Sequence, residues 1–161
     1  MTRNWKITEK TISILILLWG VFSLILNIWS INLLTQYFTW KEISIFKLFW
    51  NYHFQILISL LTIFAGIMLF LNKKEGWLLS LVILAIKFIS SITIPFIIDV
   101  EAETKTIIFY LLFGLIPLIF LTMLGILLTK QIRNKYNPTK KTWLIMGSLF
   151  AILQLYKLLI K

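Results

Sequence analysis

Trp77–Ile98 reads WLLSLVILAIKFISSITIPFII, a run of 22 residues with one formal charge, Lys87. An apolar run of this length is long enough to cross a hydrocarbon layer as a helix. Lys87 stands ten residues into it, about 15 Å along the axis at the helical rise. The stretch therefore predicts a transmembrane helix with a cation near its midpoint.

The rest of the chain has the same character. Of its 161 residues 60% are hydrophobic and only 14% are charged. A soluble domain is nearer half apolar and about a quarter charged. This composition excludes a water-excluding core of the soluble kind and implies helices that use lipid as solvent. The net charge of +10 does not point to nucleic acid, because the cations lie in short loops beside apolar runs, where the positive-inside rule places them. There is no cysteine, so disulfides, thiolate metal sites and thiol redox chemistry are excluded.

Five apolar runs stand out, at residues 11–34, 54–71, 77–98, 107–129 and 143–160. The first follows a basic leader, Met1–Lys10, but is longer than a signal-peptide core and lacks a small-x-small cleavage site, so it reads as a retained span. Within it Gly20, Ser23, Asn27 and Ser30 share one helix face. In the second run Gln55, Ser59, Thr62 and Gly66 do the same. Small and hydrogen-bonding stripes of this kind mark where membrane helices meet. Pro117 predicts a kink in the fourth run. The fifth is short and interrupted by Gln154 and Lys157, and Lys157 is placed to snorkel towards headgroups.

Between the first two runs Thr39-Trp40-Lys41-Glu42 fits a capping box. Lys41, Ser44, Lys47 and Asn51 then line one face, and Ile43, Phe46, Phe49 and Trp50 another. This predicts a short amphipathic helix over residues 40–53, lying in the interface plane. Asn72–Gly76 is a tight hairpin turn, and Lys130–Thr142 a basic loop with a turn at Asn137-Pro138. That loop is topogenic and attracts anionic lipid. Gly66–Leu69 before the first turn faintly echoes Gly125–Leu128 before the second, as a parallel repeat would, although the small alphabet of membrane sequences gives such echoes by chance.

Lysine and arginine set the orientation. With the N-terminus inside, the inner segments carry ten of them and the outer loops three. Trp77 and Trp143 then fall at the inner interface, where indoles are expected. The reading is an all-α polytopic membrane protein with five transmembrane helices, N-terminus inside and C-terminus outside, in a bacterial cytoplasmic membrane.

Lys87 is the main functional candidate. Ser80, Lys87 and Ser91 share a stripe, and no Asp or Glu occurs inside any span. Asp99 is about 18 Å away along the same helix. Three roles compete. The amine could be satisfied inside the chain, with Asn27, Gln154, Tyr110 or carbonyls freed near Pro117 as partners. It could pair with an acid on another subunit. It could line a pathway for an anion or a proton. The partner- or substrate-binding residues expected are Lys87, Ser80, Ser91, Asn27 and Gln154.

Other chemistry is weakly signalled. Asp99, Glu101 and Glu103 offer alternate carboxylates, but three spaced acids fall short of a calcium site, and an acidic outer loop is the simpler reading. His53, the single histidine, cannot form a paired-histidine haem or metal site. No Ser–His pair, intramembrane aspartate pair or phosphate-cradling glycine loop is present. The expectation is a non-enzymatic protein without metal or cofactor, partnered by lipids and other integral membrane subunits: an accessory or assembly subunit of a larger complex. The runner-up is a small transporter or channel-like protein for an anionic or protonatable solute.

Overall fold

In the computed structural model the protein is described over residues 3–37, 45–97 and 107–159. The described residues form six helices and no strand: α1 (Arg3–Tyr37), α2 (Ile45–Phe70), α3 (Lys74–Ile97), α4 (Ile107–Leu128), α5 (Lys130–Tyr136) and α6 (Lys140–Leu159). Four of these, α1, α2, α3 and α6, are long and apolar enough to cross a membrane. A fifth span is reached if α4 and α5, bent by 60° at Thr129, are counted together. The capping box at Thr39–Glu42 and the acidic connector from Asp99 lie outside the described residues.

α1 is continuous for 35 residues, about 52 Å at the helical rise and well beyond a hydrocarbon core of about 30 Å. α2 runs unbroken from Ile45 to Phe70. The described part of the expected interfacial segment is thus the opening of the same helix. Phe46, Phe49 and Trp50 on this stretch face outward while Leu48 and Phe54 are buried. The apolar face read from the sequence is therefore not the one that packs: Phe46, Phe49 and Trp50 lie on the outer surface, and Leu48 and Phe54, which belonged to neither face of that pattern, meet the bundle.

Consecutive long helices alternate in direction. The α2–α3 turn closes on a Schellman pattern: Lys73 N–H donates to Met68 O and Asn72 N–H to Leu69 O, each at 2.9 Å. Asn72 takes the left-handed conformation (φ 60°) that ends the helix. Gly76 then presses on α2, where a Cβ would lie 2.3 Å from Leu69 N. Only a residue without a side chain lets α3 start this close to the helix it has just left.

α1 and α2 meet through their small-residue stripes. A Cβ on Gly20 would lie 2.8 Å from Ile63 N, and one on Gly66 2.7 Å from Leu17 N. Both glycines bring backbones together, as expected of small residues between membrane helices. Gly125 has open space around it, so the Gly66 and Gly125 segments have unlike surroundings despite their echo.

α3 is the centre of the bundle. Leu81 to Leu84 and Ile86 are all buried, because α2, α4 and α6 each pack against this helix. A helix apolar on every side is enclosed by its neighbours. The outer helices instead expose large apolar side chains, among them Phe22, Ile25 and Trp29 on α1 and Leu144, Ile152 and Leu158 on α6. Such a surface suits lipid rather than water.

The basic loop contains a helix that the sequence reading left as loop. α5 forms because Ile132 and Tyr136, four residues apart, are both buried. Asn137 ends it in the left-handed conformation, its N–H donating to Arg133 O. The sharp bend falls at Thr129 between α4 and α5; α4 continues through Pro117 as helix.

Candidate functional site

Two polar centres lie within the apolar bundle. The first joins α1, α2 and α3 at the level of Lys87. The Ser59 hydroxyl donates to the Gln55 carbonyl oxygen of its own helix (2.8 Å). With its proton committed there, Ser59 accepts from the Ser23 hydroxyl (2.9 Å) and from Asn27 Nδ2 (3.2 Å). Ser23 in turn is left with lone pairs facing Lys87, whose Nζ lies 3.5 Å away. The donors therefore run in one direction, from the Lys87 amine through two hydroxyls to a backbone carbonyl.

The chain saturates Ser59 but not Lys87. An ammonium has three donors, and the contact with Ser23 is the one hydrogen bond Lys87 makes among the described residues. The described carboxylates are Glu9 and Glu75. Glu9 is already paired, and Glu75 lies in the first turn of α3, twelve residues and about 18 Å from Lys87. Lys87 is partly buried, and two of its three donors have no acceptor among the described residues.

Of the residues singled out in the sequence, Asn27 joins this centre through Ser59. Ser91 does not: its hydroxyl donates to Phe88 O on its own helix (2.8 Å), the usual resort of a serine inside a helix. Ser80 is fully buried with no partner for its hydroxyl, and the Gln154 amide nitrogen is likewise buried and unpartnered among the described residues. Lys157 reaches Ser90 on α3 at 3.1 Å, where the sequence suggested snorkelling. Ser23 and Ser59 were visible only as packing stripes. That Ser23 meets Lys87, and Ser59 meets Ser23, depends on how α1 lies across α2 and α3.

The second centre has no counterpart in the sequence reading. Glu9 on α1 is 1% exposed. Lys135 Nζ donates to its Oε2 at 2.6 Å, and the Tyr136 hydroxyl to its Oε1. Lys135 also donates to Asn72 Oδ1 in the α2–α3 turn. Burial first, then the hydrogen bond to Glu9 and its charge, push the Tyr136 phenol above the usual tyrosine range. Trp77 stacks on Tyr136 with ring centroids 5.6 Å apart and donates its Nε1–H to Leu127 O at 2.9 Å.

That geometry revises the expectation for Trp77. It is 1% exposed, so its indole is a core group that satisfies a carbonyl at the end of α4. Trp143, which meets it edge-on at 6.0 Å, keeps 37% of its surface exposed. Lys135 likewise is more than a topogenic loop charge. A signal for Glu9 was present: residues 9, 13, 16, 20, 23 and 27 recur at steps of four and three, so the stripe read from Gly20 onward extends back to it.

At the far end of the bundle Phe46, Trp50 and His53 stack in sequence along α2, with Tyr156 of α6 edge-on to His53. The His53 Nδ1–H donates to Trp50 O, which holds the ring in this stack. No group of three metal-ligating side chains occurs among the described residues. No family model matches this sequence, and neither a curated protein nor a solved structure is significantly similar to it.

Proposed function

We propose that this is a small non-enzymatic integral membrane protein of five spans, N-terminus inside, that serves as an accessory or assembly subunit of a larger membrane complex. The observation that carries the reading is the state of Lys87. Its amine sits on a seam of three helices, meets one hydroxyl at 3.5 Å, and has no carboxylate at its level among the described residues. A central lysine costs about 3 kcal/mol on insertion scales, and an acid on a neighbouring subunit would offset that cost. An amine with two donors left over can take an acid presented by a partner helix. The bacterial cytoplasmic membrane is the location that fits the lysine and arginine asymmetry.

A second reading draws on the same seam. Ser23 of α1 and, behind it, Ser59 of α2 are linked to the cation on α3, and a solitary cation inside a span is a candidate site for an anionic or protonatable solute.

Native mass spectrometry of the protein taken from its own membrane in mild detergent separates the two, with Lys87→Leu and Lys87→Arg beside it. Stoichiometric partner subunits that are lost from Lys87→Leu and kept by Lys87→Arg support the accessory role. A monomer or homo-oligomer, unchanged across all three samples, removes it. Lys87-dependent flux in liposomes would then carry the second reading.

A further inference from the structure

We propose that the corner between α4, α5 and α6 is a binding site for an anionic phospholipid. α4 and α6 each pack on α3 rather than on one another, and the 60° bend at Thr129 carries α5 away from the axis of α4. The result is a two-part recess. One part, about 530 Å³, is polar and lined by Arg133, Asn134 and Trp143. The other, about 310 Å³, is an apolar groove between the helices, lined by Leu128, Gly147 and Phe150 and again by Trp143. Trp143 thus forms a shared wall, with an indole where headgroup and acyl chain would meet.

Charge and shape select the occupant. Among the described residues no acidic side chain lines either part of the recess, Glu9 on the other side of α5 is taken up by Lys135 and Tyr136, and Lys140 and Lys141 open α6 one turn before Trp143. The guanidinium of Arg133 is suited to a phosphate, which it can hold with paired N–H donors. A free phosphate would use the polar part alone and leave the groove unfilled. A lipid uses both, because its chains descend from the headgroup along the helix axes. Gly147 keeps the groove open: a Cβ there would meet no atom within 4 Å. The site needs a bilayer location but is independent of any partner for Lys87.

The test uses the full chain, delipidated in mild detergent and titrated with phosphatidylglycerol, phosphatidylcholine or inorganic phosphate. Binding is read by native mass spectrometry and by the shift in thermal unfolding. Wild type is expected to prefer phosphatidylglycerol by about fivefold or more, the scale of one basic contact at a membrane surface. Arg133→Gln should lose that preference and Lys6→Gln, at an exposed cation on α1, should keep it. Gly147→Leu should weaken retention of both lipids while the lipid-free unfolding temperature stays unchanged; should that temperature fall, Gly147→Ala with Leu128→Phe is the substitute. Equal affinity for the two lipids in wild type, retention unaltered by Arg133→Gln and the groove variants, or full displacement of lipid by phosphate would each overturn the proposal.

Discussion

Glu9 and Lys135 lie 126 residues apart in the chain and 2.6 Å apart in the fold. The pair ties the start of α1 to α5, and through Asn72 to the α2–α3 turn. It closes the end of the bundle from which α1 and α3 depart and at which α2 and α4 arrive. Tyr136 completes the carboxylate's partners from the same short helix, so a seven-residue helix fixes the relation of three long ones.

Removing one member of the pair leaves a buried charge without its partner, which costs about 3–5 kcal/mol. Lys135→Met should therefore lower the unfolding temperature in detergent markedly. Glu9→Leu and Tyr136→Phe combined with Lys135→Met should recover most of the loss, because neither a charge nor the phenol donor to Glu9 is left buried without a partner. An unfolding temperature unchanged in Lys135→Met would show that the pair contributes nothing.

The glycines separate into two groups that the sequence does not distinguish. Gly66→Ala places a methyl group 2.7 Å from Leu17 N, and the overpacking should cost about 1–3 kcal/mol. Gly125→Ala meets open space and should stay within about 0.5 kcal/mol of wild type. Matched unfolding curves for the two variants check the α1–α2 crossing directly. Similar stabilities would place that crossing elsewhere.

Tyr136 gives the fold an alkaline limit. Its phenol is raised in the folded state above the usual value of 10.0. Below that value both states are protonated and its contribution is intact. Above it the unfolded chain ionises first, so stability is lost as pH rises. Between about pH 9 and about pH 11, wild type should lose unfolding temperature faster than Tyr136→Phe does. Parallel declines would show that the buried phenol is not the group responsible.

The helical, membrane-compatible character of the chain was legible in the sequence because it depends on local quantities. Run length, apolar content and the distribution of lysine and arginine can each be read without knowing what touches what. The tight turn at Asn72 and the small-residue faces of α1 and α2 were legible for the same reason, since helical periodicity is a property of spacing alone. So was the singularity of Lys87, a cation in the middle of an apolar run.

What those residues touch was decided by the tertiary structure. Trp77 at a span end and Lys135 in a basic loop both fit an interfacial role by position, yet the packing of α5 against α1 and α3 encloses one and pairs the other with Glu9. Ser23 and Ser59 were packing residues by pattern; Ser23 became the partner of Lys87, and Ser59 of Ser23, only when α1 crossed α2 at Gly20 and Gly66. In an apolar medium hydrophobic residues are interchangeable as solvent-facing groups, so the pattern that identifies a span says little about which side of it meets a neighbour. The few polar groups must find one another. That outcome depends on helix crossings set by contacts far apart in the chain, which no local window of sequence contains.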